Sequence, residues 1–108
     1  MLNNYEEYKN AKEKFRQYRK ENQTVQMLLG IEPEPEEFTK IKNEYIKETK
    51  DFERRFPYEV KELDEGRYHT IGMYATAEEA IENCPEYEAY VENIIEHKDV
   101  YWAKRYDD

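Results

Sequence analysis

Apolar residues in the first third of the chain recur at helical spacing. Tyr8, Ala11, Phe15, Tyr18, Val25 and Leu29 fall on one heptad-like stripe, with Asn22 in its one polar slot. Asn4 with Glu7 three residues later is a capping box that starts this helix. Asn22-Gln23-Thr24 offers a break, with Thr24 able to cap a restart, and Gly30-Ile31 reads as a stop. Glu32-Pro33-Glu34-Pro35 is a turn. Pro35 suits a first helical position, and Glu36 and Glu37 complement the positive end of a helix dipole. Phe38, Ile41, Tyr45, Thr49, Phe52 and Phe56 then form a second single-faced stripe, in a helix ending near Arg55. A short link between two amphipathic helices predicts an antiparallel hairpin.

After Pro57 the period changes to two. Tyr58–Leu63 and Arg67–Ala75 alternate as strands joined at Asp64-Glu65-Gly66, where Gly supplies a positive φ. Thr76 and Glu79 cap a short helix with Ala77, Ala80, Ile81 and Cys84 along one side. Pro85 predicts the start of another helix, in which Tyr87, Tyr90, Val91, Ile94 and Ile95 line up. Val100–Tyr106 alternates as a closing strand with Trp102 largely buried. The expected fold class is α+β: an N-terminal antiparallel helical hairpin followed by a β-β-α-β unit with a small antiparallel sheet. A length of 108 residues suits a single domain, with residues 1–57 as its helical part and 58–108 as its β-β-α-β part.

The stretch Gly66–Ala80, GRYHTIGMYATAEEA, is similar to part of the AP2-like DNA-binding domains of plants and mobile-element endonucleases. The resemblance covers about 15 of 108 residues: a strand with a Gly and aromatics, then a helix opening T-x-E-E-A. It implies a shared strand-and-helix arrangement. The strand here carries Arg67 but no row of Arg and Trp, and two strands precede the helix where that family has three. DNA binding is therefore not carried over.

Charge changes the picture most. Residues 1–57 hold 12 Lys+Arg and 12 Asp+Glu, and residues 58–108 hold 5 and 14, so the whole net charge of −9 lies in the second part. Such asymmetry speaks to partners rather than to fold. The predicted helix after Pro85 carries Glu88, Glu92 and Glu96 at i, i+4 and i+8, a negative strip about 12 Å long at 1.5 Å per residue. Glu78, Glu82 and Asp99 extend it, and Asp64, Glu65, Asp107 and Asp108 can add to it. Like charges at that spacing cost a few tenths of a kcal/mol per pair, which marks the strip as a candidate surface for a basic partner. The competing reading is a solvated face, or a match for Lys9–Lys20, which holds six cations and one acid.

The residue inventory points away from catalysis. The chain has no Ser for a nucleophile, three isolated Gly that build no phosphate loop, and one Cys, so no internal disulfide and no Cys-rich zinc site. Cys84 sits on an apolar helix side beside Glu82, Asn83 and Glu86, the setting of a structural thiol rather than a reactive one. His69 and His97 lack tightly spaced ligands, so no metal or cofactor is expected. No apolar run has the length of a membrane span and no hydrophobic signal core follows Met1, so the expected location is cytoplasmic. Aromatics make up 15% of the chain, which argues for a folded domain despite 40% charged residues.

Three functions fit this sequence. The first is a small acidic, non-enzymatic binding module that occupies a basic surface of a partner protein. It resembles in type the inhibitors and nucleic-acid mimics of phages and mobile elements, whose partners bind nucleic acid. The second is a self-associating helical-hairpin protein, with Asn22 fixing register in a helix pair. The third is a nucleic-acid accessory protein using the basic face Lys9, Lys12, Arg16 and Arg19. It ranks last because nucleic-acid binders are usually basic and this chain is acidic.

Overall fold

The computed structural model describes residues 1–106. The class is α+β, as the periodicities predict. The chain forms two compact units, residues 1–52 and residues 53 onward.

The first unit is built on α1 (Tyr5–Asn22), α2 (Val25–Leu28) and α3 (Glu36–Arg55), of which the last three residues belong to the second unit. Asn4 caps α1: its Oδ1 accepts the Glu7 N–H at 2.9 Å and its Nδ2 donates to Glu7 Oε2 at 3.2 Å. The helices pack through aromatic pairs. Tyr8 lies 4.7 Å from Phe52, Phe15 4.2 Å from Tyr45, and Tyr18 5.7 Å from Phe38, ring centre to ring centre. Residue numbers rise on α1 as they fall on α3, so the hairpin is antiparallel. Phe38 and Phe52 are fully buried on the predicted face.

The first helix does end at Asn22, and two expectations fall with it. Asn22 is exposed and donates from Nδ2 to Tyr18 O at 2.8 Å, closing α1 instead of filling a core slot. Thr24 caps α2 through its Oγ1, which accepts the Met27 N–H at 3.2 Å. The break turns Val25 and Leu29 out of the stripe, to 66% and 68% exposure. Leu28 and Ile31 are equally open, so the tip is apolar and solvent-facing; residues 22–31 carry no charged side chain. Gly30, at φ 73°, stops the turn as its left-handed freedom allows. The linking turn is tied to α3 by Glu34, which accepts from Lys42 at 2.6 Å and from Thr39 at 2.8 Å. Those two hydrogen bonds hold the Glu34 carboxyl below its ordinary pKa.

The second unit is a sheet with one helix. Its strands are β1 (Tyr58–Asp64), β2 (Arg67–Tyr74), β3 (Ala89–Asn93) and β4 (Lys98–Trp102), and α4 (Ala77–Glu82) follows β2. The spatial order is β2-β1-β3-β4, all pairs antiparallel. Glu65 at φ 51° and Gly66 at φ 78° make the β1–β2 turn. Thr76 caps α4, accepting the Glu79 N–H at 3.2 Å. One face of the sheet holds the core: Val60 and Val91 pair across β1–β3 and bury against Ala80 of α4, with Tyr58, Tyr74 and Cys84 packed around them.

The helix expected after Pro85 is replaced by β3. Its burial alternates, with Ala89, Val91 and Asn93 in and Tyr90 and Glu92 half out. The helical spacing of Tyr87, Tyr90, Val91, Ile94 and Ile95 loses to pairing with β1, a long-range contact that local periodicity does not encode. A helix would also have stacked Glu88, Glu92 and Glu96 without compensation, whereas the strand sets Glu92 beside Lys61. Asn93 ends the strand: its Oδ1 accepts the N–H groups of Ile95 and Glu96, both at 3.0 Å, and His97 at φ 57° completes the reversal into β4. The closing strand therefore starts two residues before the expected Val100 and ends at Trp102.

Candidate functional site

Alternation along the strands defines the face opposite α4. Lys61 of β1 pairs with Tyr90 of β3, and Tyr90 with Trp102 of β4. A bulge between Val60 and Lys61 leaves Ile71 without a partner and sets Thr70 opposite Lys61 and Tyr68 opposite Leu63. Tyr68, Tyr90 and Trp102 thereby reach one another from three strands. Tyr90 stacks on Trp102 at 4.3 Å and 15°, and Tyr68 meets both rings edge-on, at 5.0 and 6.0 Å. The cluster is open to solvent: Tyr68 is 37% and Trp102 48% exposed. The expected burial of Trp102 is not found, because β4 is an edge strand and the helix covers the other face.

A row of carboxylates crosses the strands beside these rings. Glu59 of β1 is in register with Glu92 of β3, and Glu92 with Asp99 of β4. Lys61 answers the inner two, 3.2 Å from Glu59 and 3.8 Å from Glu92, with its Nζ 5.8 Å from the Tyr90 ring centre. Thr70 Oγ1 donates to Glu59 at 2.8 Å. Burial alone would lower the Lys61 pKa; the charge and hydrogen bond of Glu59, with Tyr90 and Glu92, outweigh it and hold the ammonium above its ordinary value. Asp99 Oδ2 accepts the Trp102 Nε1–H at 3.1 Å and has no cationic partner among the described residues.

The six acidic residues singled out in the sequence thus do not form one helical strip. Glu78 and Glu82 sit exposed on α4. Glu88, at φ 51°, precedes β3 and accepts the Tyr106 N–H at 2.9 Å. Glu96 lies exposed in the β3–β4 turn. Only Glu92 and Asp99 come together, joined by Glu59, which the sequence did not mark. Asp64 and Glu65 are at the β1–β2 turn, and Asp107 and Asp108 lie outside the described residues. The alternation Tyr90-Val91-Glu92 was the one local signal for this face.

Lys9, Lys12, Arg16 and Arg19 are exposed along α1; Lys12 Nζ lies 5.3 Å from the Tyr8 ring centre and Arg16 3.8 Å from Glu13. His69 is exposed on β2 and His97 in a turn. Cys84 is only partly buried, and burial, then the charge of Glu62, pushes its thiol up, away from thiolate chemistry. Among the described residues no group of three or more His, Cys, Asp or Glu side chains is placed to hold a metal ion, and no helix is long and apolar enough to cross a membrane. Comparison with protein-family models, curated proteins and solved structures finds no match for this chain.

Proposed function

We propose that this chain is a non-enzymatic binding module whose acidic sheet unit docks on a basic surface of a partner protein. The observation that carries this reading is the joining of an exposed aromatic cluster to a row of carboxylates, within the part of the chain that holds the whole −9 charge. Aromatic rings with little conformational freedom provide contact area, and the surrounding charge steers a cationic partner and excludes anionic ones. A nucleic-acid-binding protein is one class of partner with such a surface, with carboxylates occupying phosphate positions. The displaced titrations have causes within the fold: those of Lys61 and Glu34 arise in ion pairs, and those of Cys84 and Tyr74 first from burial.

Reversal of Asp64, Glu78 and Glu82 to Lys changes the local charge by about six units at exposed positions, where substitutions cost about 0.5 kcal/mol or less each. Glu78 and Glu82 lie on α4, across the sheet from the aromatic face, so the variant should capture a partner more weakly through lost steering, and wild-type capture should fall as salt rises, while thermal unfolding stays close to wild type. Capture that is equal for both proteins and insensitive to salt overturns the reading.

A second reading has its own observation. The tip residues Val25, Leu28, Leu29 and Ile31 are two-thirds or more exposed and form an uncharged patch in a chain with 40% charged residues. Such patches mark association sites, and an uncharged one is where two copies of net charge −9 meet with least repulsion. Sedimentation of the wild type should then show a concentration-dependent dimer that Leu28→Glu abolishes; a monomer at all concentrations removes this alternative.

A further inference from the structure

The geometry points to Trp102 and Asp99 as the seat of an arginine side chain of the partner, an assignment that rests on the binding function proposed above. Three features lead there. Tyr90 covers one face of the Trp102 indole and Tyr68 its edge, yet 48% of the residue remains exposed on a strand with no neighbour beyond it. That exposure leaves indole surface beyond Tyr90 and Tyr68 on which a planar group can lie. The ring is also fixed in place, since its Nε1–H is held by Asp99 Oδ2 at 3.1 Å. That bond leaves Asp99 Oδ1 at the margin of the ring. Lastly, Lys61 neutralises Glu59 and Glu92 but not Asp99, so the outermost carboxylate of the row is the one left to an incoming cation.

A flat ring with a carboxylate at its edge selects among cations. A guanidinium can lie on the indole and donate, in its own plane, to the carboxylate beside it. An ammonium is compact, strongly hydrated and has no plane to stack, so it matches the ring and the carboxylate less well. A methylated ammonium needs rings standing apart around it. Here Tyr68, Tyr90 and Trp102 close on one another at 4.3–6.0 Å and leave no such enclosure.

The test uses the intact chain and two probes, an octa-arginine and an octa-lysine peptide, at low salt. Trp102 is the only Trp, so its emission reports directly on the seat, and calorimetry gives affinity independently. The arginine peptide should bind at least about fivefold more tightly than the lysine peptide and alone should shift Trp102 emission. Asp99→Asn keeps an oxygen to accept from Nε1 and so keeps the ring in place; it should reduce the arginine preference to near unity. Trp102→Leu, followed by calorimetry, should do the same. Glu78→Lys with Glu82→Lys should weaken both peptides alike and leave the preference intact. If the preference survives Asp99→Asn and Trp102→Leu, the seat is wrong. Equal binding of the two peptides, weakened only by the α4 reversals, also rejects the seat while leaving the acidic binding module standing. Failure of both peptides to bind overturns seat and module together.

Discussion

Phe52→Ala should lower the unfolding free energy by about 3–5 kcal/mol, the usual cost of removing a fully buried ring. Phe52 has no exposed surface and stacks on Tyr8 at 4.7 Å and 18°. Truncation deletes the ring that stacks on Tyr8 at the end of the α1–α3 hairpin, where Tyr8 is also buried. Domains of this size are stable by about 5–15 kcal/mol, so the variant loses a large share of its reserve. Urea unfolding monitored by far-ultraviolet circular dichroism checks this. A midpoint within error of wild type would mean that the hairpin is not held by its aromatic pairs.

The second large effect concerns Lys61, the cation between Glu59 and Glu92. Lys61→Met should cost about 2 kcal/mol, because it leaves Glu59 and Glu92, whose side chains are only 15% and 24% exposed, facing each other across β1 and β3. Its pH dependence separates this from a packing defect. The raised Lys61 pKa contributes stability that is complete below the ordinary value of 10.5 and is lost as pH rises through the folded-state value. The wild type should therefore weaken above pH 10.5, and the variant should lack that component. Cys84 and Tyr74, raised from 9.0 and 10.0 by burial, act in the same direction and should persist in both proteins. Melting curves from pH 4 to 11 on both proteins carry the comparison; parallel profiles would show that the Lys61 charge is not what matters.

Features determined by neighbours in sequence are legible in the sequence alone. Asn4, Thr24 and Thr76 cap as their side chains dictate, Gly66 turns the first hairpin, and Phe38, Thr49 and Phe52 bury where the helical stripe places them. Features that depend on strand register are not. Tyr87, Tyr90, Val91, Ile94 and Ile95 satisfy a helical template, and only β1 lying alongside converts residues 89–93 to a strand. The i, i+4 spacing of the carboxylates predicts a strip along one element, but the arrangement runs across three, through Glu59, Glu92 and Asp99. Alternation along the closing strand predicts a largely buried Trp102; its place on the outer strand, on the face away from α4, decides otherwise.

The strand order carries a consequence for how the second unit folds. β1–β2 and β3–β4 are each joined by a short turn, so both hairpins form from local contacts on a microsecond scale. The β1–β3 seam, where Val60 meets Val91, must instead close a loop that contains β2 and α4. That closure carries the chain-entropy cost and should set the folding rate. Conservative truncations at Val60 or Val91, which meet at that closure, should slow refolding.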